Sequence, residues 1–132
     1  MTEKQILTWF TSLPEYKSYA EAIGDYNKDL AYAGPEDNDM LSKLIPETAY
    51  GIDLNICFYQ HDASYQIGGG NKERWAADVA MLSTGLYIIE KTENKWYLTG
   101  ANWLRKHLAR IRLIKYFEAV RLLGYQFFNY TD

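Results

Sequence analysis

The chain has 132 residues, a formal charge of −3 and a single cysteine. That length fits one domain, residues 1–132, at roughly 100–200 residues per domain. Hydrophobic residues make up 48% and aromatic residues 16%, enough apolar side chain for a real core and against disorder. Cys57, alone, excludes an internal disulfide and a multi-cysteine zinc site. The two histidines, His61 and His107, leave few ligands for a transition metal. The mild acidic charge argues against nucleic acid as the partner. No run approaches the ~20 apolar residues that span a bilayer. The residues after Met1 do not read as a signal peptide. The expectation is synthesis as a cytoplasmic protein, with export by a non-classical route left open. Oligomeric state is not legible.

Residues 2–13 read as a first helix, with Ile6, Trp9, Phe10 and Leu13 on one stripe. Thr2 and Gln5 have the spacing of a capping box, and Pro14 closes the segment. Residues 16–29 read as a polar helix interrupted at Gly24. Residues 32–39 (YAGPEDND) read as a loop, and residues 41–44 fit one helical turn before Pro46.

Residues 50–66 form the clearest helix. Ile52, Ile56 and Tyr59 lie on one side; Leu54, Cys57, Phe58, His61 and Tyr65 lie on another. A helix apolar nearly all round belongs at the centre. Gly68-Gly69-Gly70 then breaks the chain. A third helix runs from Lys72, with Asn71 as N-cap, to about Leu86, Gly85 being its weak point. Residues 87–98 fit either a short hairpin or a helix extension and a loop. A long final helix spans residues 102–127, with Leu104, Leu108, Ile111, Ile114, Phe117 and Val120 on its apolar side. The expected fold is mainly α: an antiparallel helix pair flanked by N- and C-terminal helices, with room for one short hairpin.

Chemistry concentrates in NICFYQHDASY. His61 sits on a buried face, one turn after Cys57 and one turn before Tyr65; Asp62 is about 100° round the helix. A lone His-Asp dipeptide is more often a satisfied core histidine beside a solvated aspartate. Asp78 changes that balance, because it is a carboxylate placed in an apolar stripe between Trp75 and Leu82. Burying a carboxylate is costly unless it is paired. A tight glycine turn would set the two helices antiparallel, with His61 and Asp78 at similar heights. The His61 ring is then expected to hydrogen-bond the Asp78 carboxylate, either as a purely structural link or as the standard arrangement of a general base. Cys57 and His61 at i, i+4 also have a metal-ligand spacing, but without evident partners.

His61-Asp62-Ala63-Ser64-Tyr65, with Asp53-Leu54 and Cys57 before it and Asp78-Val79-Ala80-Met81 after it, resembles the phospholipase A2 family in its cysteine-poor bacterial and parvoviral branches. Tyr32-Ala33-Gly34-Pro35 is similar to the start of the parvoviral calcium loop. The resemblance covers about residues 31–82. It implies calcium-dependent hydrolysis of a glycerophospholipid at the sn-2 ester. In that reading His61 deprotonates a water, Asp78 fixes the imidazole, and Tyr65 hydrogen-bonds to Asp78. Calcium would be held by Asp62 and by carbonyls of the loop at Tyr32 and Gly34. The alternative is a non-catalytic helical binding or scaffold module, or a degenerate relative, in which the His61–Asp78 bond is structural.

A lipid enzyme must meet an interface. The stripe Ile6, Trp9, Phe10 and Leu13 would line an acyl channel or touch lipid; plain core packing is the competing expectation. The last helix carries Arg105, Lys106, Arg110, Arg112, Lys115 and Arg121, with Glu118 as its one acid. It suits either anionic lipid heads or a solvated face balancing an acidic first half. His107 is expected at the surface.

Overall fold

A computed structural model describes residues 1–32, 48–94 and 99–131. The fold is mainly α. Helix α1 spans Glu3–Thr11 and α2 Tyr16–Ile23; strands β1 (Thr48–Ala49) and β2 (Ile52–Asp53) form a hairpin; helices α3 (Asn55–Ile67), α4 (Asn71–Lys91) and α5 (Thr99–Leu123) follow. A short 3₁₀ turn at Gly124–Gln126 ends the last helix.

The local rules explain the start of the chain. The Thr2 hydroxyl accepts from the Gln5 amide, and the Gln5 side chain accepts from the Thr2 amide, so the expected capping box forms. Helix α2 stops at Ile23, because Gly24 turns out of helical geometry at φ 87°. It is therefore shorter than residues 16–29.

The central helix begins later than residue 50. Tyr50 and Gly51 both have positive φ, the requirement of a tight two-residue hairpin turn. They pair Thr48 with Asp53 and Ala49 with Ile52. The one hairpin of the described residues thus lies here; at residues 87–91 the chain continues α4 instead, and residues 95–98 lie outside the described set. The expected turn at residues 41–44 also lies outside it. The Asp53 carboxylate accepts from the Asn55 amide, closing the first turn of α3.

Helix α3 is buried from Asn55 to His61, and again at Ala63 and Tyr65, as its all-round apolarity requires. After Gly68, α4 returns antiparallel beside it. Its N-cap is Gly70, not Asn71: the Glu73 carboxylate accepts from the Gly70 amide. Gly85 does not weaken α4. A methyl group there would come 2.5 Å from Leu113 and 3.3 Å from the Cys57 sulfur, so its absence lets α3, α4 and α5 approach closely.

That approach decides which side of α5 is inside. Asn102, Ala109, Leu113, Tyr116 and Val120 are buried, whereas Leu104, Ile111 and Ile114 are exposed. Of the six residues expected on the apolar side, three therefore face outward and Val120 alone is buried. Small Ala109, and Leu113 seated over Gly85, suit a close contact that a row of leucines and isoleucines would obstruct. The chain end folds back onto the α3–α4 turn. The amides of Asn129 and Thr131 donate to the carbonyls of Tyr65 and Gly69, and the Gly69 amide donates to Asn129. Gly68, at φ 79°, leaves no room for a side chain beneath the Asn129 carbonyl.

Candidate functional site

The site is a buried carboxylate with three donors from two other helices' worth of chain. Asp78, on α4, is fully buried. It does not lie between Trp75 and Leu82 on the inner face. Trp75 is exposed, and the buried face of α4 runs through Arg74, Ala77, Asp78, Met81, Gly85 and Ile88. Asp78 Oδ1 is 2.7 Å from His61 Nε2 and accepts from the Tyr65 hydroxyl at 2.6 Å. Asp78 Oδ2 accepts from the Arg121 guanidinium at 2.6 Å. The sequence brings His61 and Tyr65 together because i, i+4 residues share a helix face; their rings lie 4.1 Å apart.

Burial pushes the Asp78 carboxyl up, but hydrogen bonds from His61, Tyr65 and Arg121 outweigh it and hold the group below the ordinary carboxylate range. Asp78 is thus an ionised acceptor, so His61 Nε2 must carry the hydrogen and donate it. In the neutral form of the ring this bond selects the tautomer in which Nδ1 carries the lone pair. Nδ1 makes no hydrogen bond among the described residues, and the His61 side chain retains 10% of its exposure. Burial and the bond to Asp78 push the Tyr65 phenol well up, so it remains a donor.

Arg121 and Arg74 were not legible as site residues. Arg121 reaches Asp78 from α5 while its guanidinium lies 4.9 Å from the Trp75 ring centre. Arg74, buried one turn before Asp78, donates to the carbonyls of Val120 and Arg121 at 3.2 and 2.7 Å. It thereby satisfies the negative end of α5 and fixes the backbone that carries Arg121. A cation four residues before Asp78 on the same face was the available signal.

Asp62, next to His61 on α3, is exposed, yet the surrounding packing desolvates its carboxyl enough to push it up from the ordinary value. Tyr32 is tied to the start of α3: its amide donates to Asn55, its ring packs on Tyr26 and Tyr59, and its hydroxyl accepts from the Asn27 amide. Asn55 is two helical turns, about 10 Å along the axis, before Asp62. Gly34 lies outside the described residues. Among the described residues no group of three or more His, Cys, Asp or Glu converges. Cys57 donates to the Leu54 carbonyl, and burial pushes its thiol up; it behaves as a small buried apolar group.

Along α1, Ile6 and Phe10 are buried in the core, so neither reaches the outer surface. Trp9 stacks on Tyr87 with ring centres 4.1 Å apart, and Leu13 is half-buried against the same core. A cavity of about 470 Å³ does open beside this helix, with Ile6, Leu7, Tyr26 and Ile56 among its lining residues. Compared with known proteins, the chain matches no family model, no curated protein and no solved structure.

Proposed function

We propose that the chain is a phospholipase A2-like hydrolase of glycerophospholipid esters, with His61 as general base. The observation that carries this reading is the His61 ring bonded through Nε2 to a buried, ionised Asp78, with Nδ1 left open. A neutral imidazole held in one tautomer by a carboxylate is built to take a proton.

In this mechanism Nδ1 removes a proton from a water as its oxygen attacks the sn-2 ester carbonyl carbon. The imidazolium then gives that proton to the leaving glycerol oxygen as the ester C–O bond breaks. Fatty acid and lysophospholipid leave, and the neutral ring is restored. Asp78 orients the ring and stabilises its charged form; Tyr65 holds Asp78 Oδ1 in place. Calcium belongs to the proposal through the resemblance alone, which implies that Asp62 and carbonyls near Tyr32 and Gly34 would hold it. A bound cation would supply charge opposite the developing oxyanion.

One observation favours a second reading, in which the cluster is structural. Arg121 compensates the Asp78 charge at 2.6 Å, and this lessens the pull of Asp78 on an imidazolium. Fatty-acid release from phospholipid vesicles separates the two. The hydrolase reading expects release that stops with a calcium chelator and falls about 100-fold or more in His61→Ala. Equal release by wild type and His61→Ala, with calcium present, leaves the structural reading standing.

A further inference from the structure

Among the described residues nothing covers the outer face of α5, and its composition is unusual for a solvated helix. Trp103 and Leu122 are 67% and 73% exposed, and Leu104, Ile111 and Ile114 between them are also exposed. At 100° per residue these five side chains fall in one arc, with Arg110 and Lys115 at its two edges, about 140° apart. From Trp103 to Leu122 the stripe is about 28 Å long at 1.5 Å per residue. His107 stacks on Trp103, and Glu118 is the single acid of the arc.

We infer that this face docks on an anionic lipid surface. Charge selects that occupant. The helix carries Arg105, Lys106, Arg110, Arg112, Lys115 and Arg121 against Glu118 alone, in a chain whose net charge is −3. Four of these cations are engaged inward. Arg105 donates to the Tyr50 and Glu93 carbonyls, Lys106 to those of Glu90 and Thr92, Arg112 lies over Tyr50, and Arg121 holds Asp78. Arg110 and Lys115 have no hydrogen bond or ion pair among the described residues, and they flank the apolar stripe. Apolar side chains entering the head-group region between cations at its edges is how an amphipathic helix lies in an interface, and exposed tryptophan suits that depth. A second copy would instead bring the same positive excess against this one.

The inference moves lipid contact from α1, whose Ile6 and Phe10 are core, to α5. It rests on the hydrolase reading only in naming the surface on which that enzyme would work, and the test involves no turnover. Co-sedimentation is measured with vesicles of phosphatidylglycerol and phosphatidylcholine, and with phosphatidylcholine alone. Wild type and His61→Ala are expected to bind the anionic vesicles equally and at least tenfold more tightly than the neutral ones, less so at high salt. The double variant Trp103→Ala with Leu122→Ala is expected to lose about tenfold or more, and Arg110→Glu with Lys115→Glu a comparable factor. Ile67→Ser, exposed at the end of α3, is expected to bind as wild type. Trp103, Lys115, Leu122 and Ile67 are exposed and Arg110 is half-buried, so circular dichroism of the variants at these positions should be unchanged. Three results overturn the inference: wild type failing to bind anionic vesicles, the α5 variants binding like wild type, or light scattering showing a dimer that Leu122→Asp dissolves. The last assigns the face to a second copy.

Discussion

In the first half of α3, Asn55 and Tyr59 hold segment 16–32; in its second half, His61 and Tyr65 hold Asp78. The first contact is neutral and distributed. Tyr59 is met by the rings of Phe10, Tyr16, Tyr26 and Tyr32, and its hydroxyl donates to the Gly24 carbonyl. Asn55 ties the Leu30 carbonyl, the Tyr26 hydroxyl and the Tyr32 amide. The second contact is a single buried charge on which three donors converge. A neutral network loses one bond when one partner goes. A charge-centred one leaves its remaining members without compensation.

Asp78→Asn therefore has the largest expected effect, about 3 kcal/mol of stability, read from urea unfolding, together with loss of the proposed activity. It also reports the pH dependence. Asp78 titrates below the ordinary carboxylate value when folded. Its stabilisation is thus present above the unfolded value, about 3.9, and is lost as pH falls through the lower folded value. The gap in melting temperature between wild type and Asp78→Asn should be full at neutral pH and shrink below about pH 4. A gap independent of pH would break the contrast between the two halves.

Gly85→Ala comes next, at about 1–3 kcal/mol, because the added methyl group meets Leu113 and Cys57. The same midpoint measurement checks it, and vesicle binding by α5 should persist once the protein is folded. Tyr59→Phe should cost least, about 1 kcal/mol, since it deletes one hydroxyl bond and keeps every ring contact. Fatty-acid release at a temperature well below unfolding should be unaltered. A loss at Tyr59 as large as at Asp78 would mean that the two halves are not separate systems.

The mainly helical fold and the α3–α4 pairing were legible because hydrophobic period and a glycine run are local signals. The His61–Asp78 contact was legible because a carboxylate was set among apolar residues, although the stripe was misread at Trp75. The inner side of α5 was not legible. That helix has two apolar faces, and only the missing side chain at Gly85, on another helix, selects between them. Arg121 looked like one more surface cation, and its partner is 43 residues away in sequence. The β1–β2 hairpin was hidden by strands of two residues each, too short to show alternation.

The tail that folds over Gly68 and Gly69 bears on the order in which the molecule assembles. The α3–α4 hairpin joins residues close in sequence, so its loop-closure cost is small and it can form early. The counter-ion of Asp78 comes from the far end of α5, fixed by Arg74 and followed by residues that seal against Tyr65 and Gly69. On a growing chain, His61 and Asp78 meet while the carboxylate still faces water on one side. The segment that shuts the charge inside follows the helix pair it covers, so it arrives after them.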